Sequence, residues 1–171
     1  MIMSQKKHCI FACLLIPILV ILDQITKKIA VKYLAGSAGI SLIKGVLELQ
    51  YVENTGAAFS ILEGKMIVFY LVTLIIGGGI IFLMVRMPKS GKYLVLFYTF
   101  AVLLAGALGN FIDRIMLHYV IDFIYFSLIN FPVFNVADIY VTLSVFFILI
   151  LILFYYSEDE CNKVFSLKGR N

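Results

Sequence analysis

The stretch NFPVFNVADIYVTLSVFFILILILFYY, residues 130–156, decides the fold. Ile139–Tyr156 runs 18 residues without a charge. A helix needs roughly 20 apolar residues to cross a bilayer core. Lipid cannot satisfy open backbone groups, so a spanning segment is a helix or part of a closed barrel. A run this long and this apolar predicts a helix. Asp138 stands at its threshold, and nothing in the run is able to pair it. A lone carboxylate beside lipid is costly, so its presence asks for a reason.

Working outward, Tyr93–Ile112 supplies 20 residues with Asn110 the strongly polar member, and Met66–Val85 supplies 20 more without a charge. Cys9–Leu22 supplies 14, and 18 if Asp23–Thr26 continue the helix. Of the 171 residues, 63% are hydrophobic, and the mean hydropathy is +1.04. A soluble domain of this size is far less apolar. The sequence predicts an all-α membrane protein with four transmembrane helices, about 9–26, 66–85, 93–112 and 139–156. They form a single domain over 1–171, with outer segments 30–65 and 113–138. The first run is read as a retained helix and not a signal peptide, because no A-x-A pattern follows it. Cys13 resembles a lipobox cysteine only faintly, since the apolar core before it is too short. Three cysteines without framework spacing read as free thiols.

Four spans place both termini on one face. The head, the 87–92 turn with Arg86, and the tail carry eight basic residues (Lys6, Lys7, Arg86, Lys89, Lys92, Lys163, Lys168, Arg170) against six on the other face. Positive charge favours the cytoplasmic side, so both termini are expected in the cytoplasm. Of ten carboxylates, Glu158, Asp159 and Glu160 lie in the tail, and seven fall on the outer face. Among those seven, Asp23 ends the first span, Asp113 ends the third, and Asp138 begins the fourth. Asp122 lies in the loop between the last two. Asn54, Asn110 and Asn135 fall on the same side. Any one of these acids alone reads as a helix cap meeting the dipole. Gathered in one layer, they read as a site.

The outer segments are too polar to span. Leu47–Tyr51 alternates apolar and polar residues, as a half-buried strand does. Asn54-Thr55-Gly56 is a turn signal, and Ala57 and Ala58 allow close approach of another chain. Val120–Phe126 is β-prone, and Asn130-Phe131-Pro132 marks a turn. Together these segments predict a small β-containing extracytoplasmic cradle over the carboxylates. Ala101, Ala105, Gly106 and Gly109, and Gly77-Gly78-Gly79, suit close helix packing. Asn110, Asp113 and Arg114 share one helix face. Asp113 and Arg114 can form a local ion pair, or the arginine can orient a carboxylate or a substrate carbonyl.

His8 and His118 are isolated, so no metal site is expected. No phosphate loop, nucleophilic triad or cofactor motif is visible, and the net charge of +4 forms no patch for nucleic acid. A carboxylate pair remains. Two aspartates held close share a proton, because both cannot ionise cheaply. Such a pair activates a water: one aspartate takes its proton while the other protonates a peptide carbonyl. The residues alone do not choose which two of the four aspartates pair.

Five pieces run in order along the chain: DQITK at 23–27, NTGAAFS at 54–60, AGALGNFIDR at 105–114, VIDF at 120–123 and FNVAD at 134–138. With four spans, the set resembles the lipoprotein signal peptidases (signal peptidase II), membrane aspartic proteases of bacteria. The resemblance implies that Asp122 and Asp138 are the catalytic dyad. It implies that Asp23, Lys27, Asn54, Gly56, Asn110, Asp113, Arg114 and Asn135 hold the dyad or bind substrate. It implies an endopeptidase of the bacterial cytoplasmic membrane, without cofactor, acting near the outer face. Its partners would be prolipoproteins cut before a diacylglyceryl-modified cysteine, membrane lipids, and the family's inhibitor globomycin. Phe59, Phe111 and Phe123 are expected to line a sideways route from the bilayer. Two positions depart from the common pattern: Ile139-Tyr140 follow the FNVAD aspartate where many members have Ser, and His118-Tyr119 stand where many have Gly two residues before the VIDF element. A proton- or ion-coupled transporter is the competing reading, but span centres near Leu15, Ile75, Val102 and Phe147 carry no charge. A non-catalytic scaffold explains the glycines and leaves the acid layer unexplained.

Overall fold

The computed structural model describes residues 5–56, 66–88 and 90–166, with side chains from residue 11 onward. Ala57, Ala58, Phe59, Lys89, the side chains of Lys6 and Lys7, and the tail residues Lys168 and Arg170 lie outside that description. The chain runs α1 (Gln5–Leu34), β1 (Ile40–Ile43), β2 (Leu47–Asn54), α2 (Met66–Arg86), α3 (Leu94–Leu117), β3 (Val120–Tyr125), α4 (Val136–Ile150) and α5 (Glu158–Phe165). Short 3-10 turns precede α3 and follow β3, and Leu151–Tyr155 extends α4 as a π turn.

Among the described residues, three helical segments are long and apolar enough to cross a membrane: Met66–Arg86, Gly91–Leu117 and Val136–Tyr155. Their charges are nearly confined to the ends, and most of their surface faces outward. On α2 the buried residues are Gly77, Ile80 and Met84. The centre of the bundle is α3, packed against α1, α2 and α4. Leu96, Ala101 and Ala105 are buried on it. A Cβ on Gly106 would stand 2.6 Å from the Ala137 carbonyl, and one on Gly109 would stand 2.5 Å from Asp23 Oδ2. These two glycines let α4 and α1 close on α3, as the spacing predicted. Gly78 and Gly79 do not share that role, because a Cβ on either meets nothing within 4 Å.

The helices overrun the boundaries expected from hydropathy. α1 continues to Leu34 and α3 to Leu117. Asp23 and Asp113 therefore lie inside helices instead of at their ends. Hydropathy drops at the first charge, but the backbone continues because those charges find partners. The 30 residues of α1 extend about 45 Å at 1.5 Å per residue, well beyond a bilayer core.

The outer layer is a three-stranded antiparallel sheet in the order β1-β2-β3. The alternation at 47–51 belongs to β2, which extends to Asn54. On β3 the period of two divides the side chains. Ile121 and Phe123 pack on Ala30 and Leu34 of α1, while Val120 and Asp122 line a cleft. His118 caps α3 with φ +64°, the left-handed conformation that favours glycine. The Gly-to-His departure therefore falls where the backbone most wants Gly.

Candidate active site

Chain reversal after β3 builds the site. Phe134 lies beside β3: its N–H donates to the Ile124 carbonyl at 2.9 Å, and its own carbonyl accepts from Phe123 and Ile124. The next residue, Asn135, is thereby fixed next to Asp122. It is also the N-cap of α4. Its Oδ1 accepts from the Asp138 N–H at 3.0 Å, and its own N–H donates to Asp138 Oδ2 at 3.0 Å. This reciprocal pair is a capping box. The Asn135 Nδ2 donates outward, to Asp122 Oδ1 at 2.6 Å and Asn110 Oδ1 at 3.1 Å.

Each aspartate has a second amide. Asn54 Nδ2 of β2 donates to Asp122 Oδ2 at 2.8 Å. Asn110 Nδ2 of α3 donates to Asp138 Oδ1 at 2.7 Å. Asn54 is itself held in a turn, its Oδ1 accepting from the Gly56 N–H at 3.0 Å. Burial pushes the Asp122 carboxyl up to about 6, helped by the Asp138 charge and opposed by the Asn54 and Asn135 donors and by Lys27.

Behind the two aspartates lies a buried ion cluster. Lys27 Nζ sits 3.0 Å from Asp23 Oδ2 and 2.8 Å from Asp113 Oδ2. It also donates to Asn110 Oδ1 at 2.9 Å. Asp23 Oδ1 accepts from the Ala137 N–H at 2.9 Å, in the first turn of α4. Asp113 Oδ2 accepts from the Ile121 N–H at 3.2 Å, tying α3 to β3. A buried charge is tolerated only when paired and hydrogen-bonded, and here every member is.

Arg114 does not pair with Asp113, in contrast to the expected local ion pair. Side chains at i and i+1 on a helix diverge, and Lys27 already occupies Asp113. Arg114 reaches instead across the cleft mouth. Its Nη atoms donate to the Asn110 and Gly56 carbonyls at 3.4 Å. Its guanidinium lies 4.5 Å from the Phe69 ring centroid. Among the described residues its Nε, which is buried, has no hydrogen-bond partner.

The cleft has a volume of about 520 Å³. Asn54, Asn110, Arg114, Asp122 and Asp138 form its polar floor. Its wall is apolar, from Phe131 to Phe134 and from Ile139, Thr142 and Leu143.

The signal peptidase (SPase) II family model matches residues 15–154. The chain belongs to the signal peptidase II family. It is 41% identical over 144 residues to a lipoprotein signal peptidase of Caldanaerobacter subterraneus, covering 84% of this chain and 96% of that one. It is 44% identical over 135 residues to that of Lactiplantibacillus plantarum, covering 79% and 89%. Two solved bacterial membrane enzymes share the fold. One aligns with a TM-score of 0.73 at 32% identity over 94% of both chains. The other aligns with a TM-score of 0.75 at 33% identity, over 85% of this chain and 94% of that one.

For this signal peptidase II chain, all ten residues singled out from the sequence converge. Nine join through hydrogen bonds or ion pairs of their side chains. Gly56 joins through its backbone. Gln24 was missed. Its Nε2 donates to Asp113 Oδ1 at 2.8 Å and to the Gly109 carbonyl at 3.2 Å. The signal was an amide inside DQITK, directly beside Asp23 and one turn from Lys27. The expected apolar route also shifts. Phe111 meets Tyr70 edge to face, and Phe123 packs on α1. The wall comes from 131–134 and the first turns of α4 instead, a loop whose path hydropathy does not give.

Proposed function

We propose that this chain is an aspartic endopeptidase that removes the signal peptide of diacylglyceryl-modified prolipoproteins, cutting before the modified cysteine. The carrying observation is that one side chain, Asn135, holds Asp122 by its amide and caps the helix turn bearing Asp138, with both carboxylates lining one cleft. The pair shares one proton. Burial and the facing Asp138 charge push the Asp122 carboxyl up, which favours one shared proton over two charges in the cleft. A water in the cleft gives a proton to the ionised aspartate as its oxygen bonds to the scissile carbonyl carbon. The protonated aspartate gives its proton to the carbonyl oxygen. The tetrahedral intermediate collapses: one of its hydroxyls returns a proton to the ionised aspartate, the C–N bond breaks, and the leaving amine takes the proton of the other aspartate, so the pair is left with one proton as it began. Asn54, Asn110 and Asn135 keep the carboxylates aimed, and Arg114 is placed to orient a substrate carbonyl.

The apolar wall suits an acylated substrate arriving sideways from the bilayer. Membrane lipids are the surrounding partners. We take α1 as a fourth span, because Phe11, Leu14, Ile18, Ile21 and Leu22 present apolar surface along it. The whole chain is then one membrane domain. Both termini face the cytoplasm, and the cleft opens at the outer face of the bacterial inner membrane. No role for nucleic acid is assigned.

Asp122→Asn and Asp138→Asn are each expected to abolish cleavage of a diacylglyceryl prolipoprotein while leaving a folded membrane protein. Normal turnover by either variant sinks the pair. An unmodified prolipoprotein cut as fast as the lipidated one sinks the lipid requirement. Globomycin is expected to bind saturably, and Asp138→Ala to lose that binding.

A further inference from the structure

We propose that Lys27 is a positioning residue that locks the side-chain amides of Asn110 and Asn135 with their N–H groups turned toward the aspartate pair throughout the reaction. The proposal deepens the protease reading above and rests on it. Lys27 is about 1% exposed. An ammonium has three donors and no acceptor. All three are used, on Asp23 Oδ2, Asp113 Oδ2 and Asn110 Oδ1. The neighbour of Lys27 on Asn110 must therefore be the oxygen. That turns Nδ2 to Asp138 Oδ1 at 2.7 Å. The same Asn110 oxygen accepts from Asn135 Nδ2, whose other hydrogen goes to Asp122 Oδ1. One cation thus sets the direction of two amide dipoles, and each amide serves one aspartate.

The lock matters because the pair changes protonation during turnover. An amide facing an ionised carboxylate donates to it without help. Once that carboxylate gains a proton, a free amide can turn and accept from the new O–H. The proton would then point into the amide and away from water and substrate. Asn110 cannot turn while Lys27 demands its oxygen. Asn135 is held twice, by the Asp138 N–H and by the Asn110 oxygen. The proton stays on the cleft side, where the reaction uses it.

The charged groups around Asp122 are Asp138 on α4, Lys27 and Asp23 on α1, and Asp113 and Arg114 on α3, while β2 presents Asn54. Lys27→Met alone strands Asp23 and Asp113 together; with Asp113 neutralised, Asp23 alone loses its cation and keeps the Ala137 N–H and the Gln24 amide, which limits the fold defect. The informative comparison is Asp113→Asn against Asp113→Asn with Lys27→Met, each checked for folding by thermal unfolding in detergent. Each is assayed with diacylglyceryl prolipoprotein across pH. Adding Lys27→Met is expected to lower kcat about 10- to 100-fold with KM nearly unchanged, the mark of misplaced groups and not of lost substrate contact. Losing the cation also favours protonated Asp122, so the alkaline limb of the profile moves to higher pH. Equal kcat and an equal limb in the two variants overturn the proposal. So does a loss confined to KM or to unfolding temperature. Activity in Asp122→Asn, run alongside, instead overturns the aspartate-pair reading, so the two failures are distinct.

Discussion

The two ends of the bundle, the sheet end (outer in the proposed orientation) and the tail end (inner), hold their charges in opposite ways. At the outer end Asp23, Lys27, Asp113 and Asp122 are all at most 2% exposed and linked into one network. At the inner end Lys92 meets Glu160 at 2.7 Å, with side chains 38% and 22% exposed. Stacked Tyr93 and Tyr156, 5.3 Å apart, close the same corner. Tyr156 donates to the Lys92 carbonyl at 3.0 Å. The inner pair ties α5 to the start of α3 and can relax into water. The outer network is shut away from bulk solvent. Removing its cation, Lys27, leaves Asp23 and Asp113 charged, buried and without their ion pairs. The difference separates a fastening from a site: the first tolerates loss, and the second fixes geometry at the expense of tolerance.

The largest test of that contrast is Lys27→Met, expected to destabilise the fold by about 3–5 kcal/mol, as a broken buried pair does. Thermal unfolding in detergent measures it, and an unchanged midpoint removes the distinction between the two ends. Next is Gly106→Ala. Its new methyl would press on the Ala137 carbonyl, which predicts a loss of about 1–3 kcal/mol from overpacking. Activity should fall with it, because Ala137 carries the N–H that holds Asp23.

Asn54→Ala sharpens the outer side without emptying the cluster. Asp122 near 6 predicts that kcat/KM falls as pH rises through about 6, since that ratio reports the free enzyme. Asn54 donates to the ionised carboxylate, so its loss raises the Asp122 value further. The limb should move to higher pH. A shift to lower pH contradicts the hydrogen bond's role.

The smallest effect belongs to Glu160→Gln. The Lys92 hydrogen bond holds the Glu160 carboxyl below its usual range. A depressed carboxyl stabilises at neutral pH, and that contribution is lost as pH falls through the folded value. For so exposed a pair the unfolding midpoint should not move measurably, and salt should erase any residue of it. A shift as large as that of Lys27→Met would make the two ends equivalent.

Much of the outer end was legible because its parts are local. Period-two alternation gave β2. The Val-Ile-Asp-Phe run gave β3. An acid at a helix start read as a cap, and sidedness put the acids in one layer. Partner choice was not legible. Asp113 has Arg114 beside it in sequence, yet it takes Lys27 from another helix, because neighbouring helical side chains diverge. Helix ends were misplaced for the same reason: Asp23 and Asp113 look like terminators until their partners are known. The cleft wall at 131–134 depends on Phe134 pairing with Ile124, a contact set by the tertiary path. Gly78 and Gly79 carry the letters of a packing seam, but a Cβ on either meets nothing within 4 Å.

Asn135 has a dynamic consequence. The bond that caps α4 and the bond that holds Asp122 belong to one side chain, so the first turn of α4 cannot fray while the aspartates stay aimed. Opening that turn releases the Asp138 amide to solvent and disperses the pair together. Hydrogen exchange at the Asp138 backbone amide therefore measures how often the unliganded protein has no site at all. The exchange rate sets a ceiling on the assembled fraction before any substrate arrives.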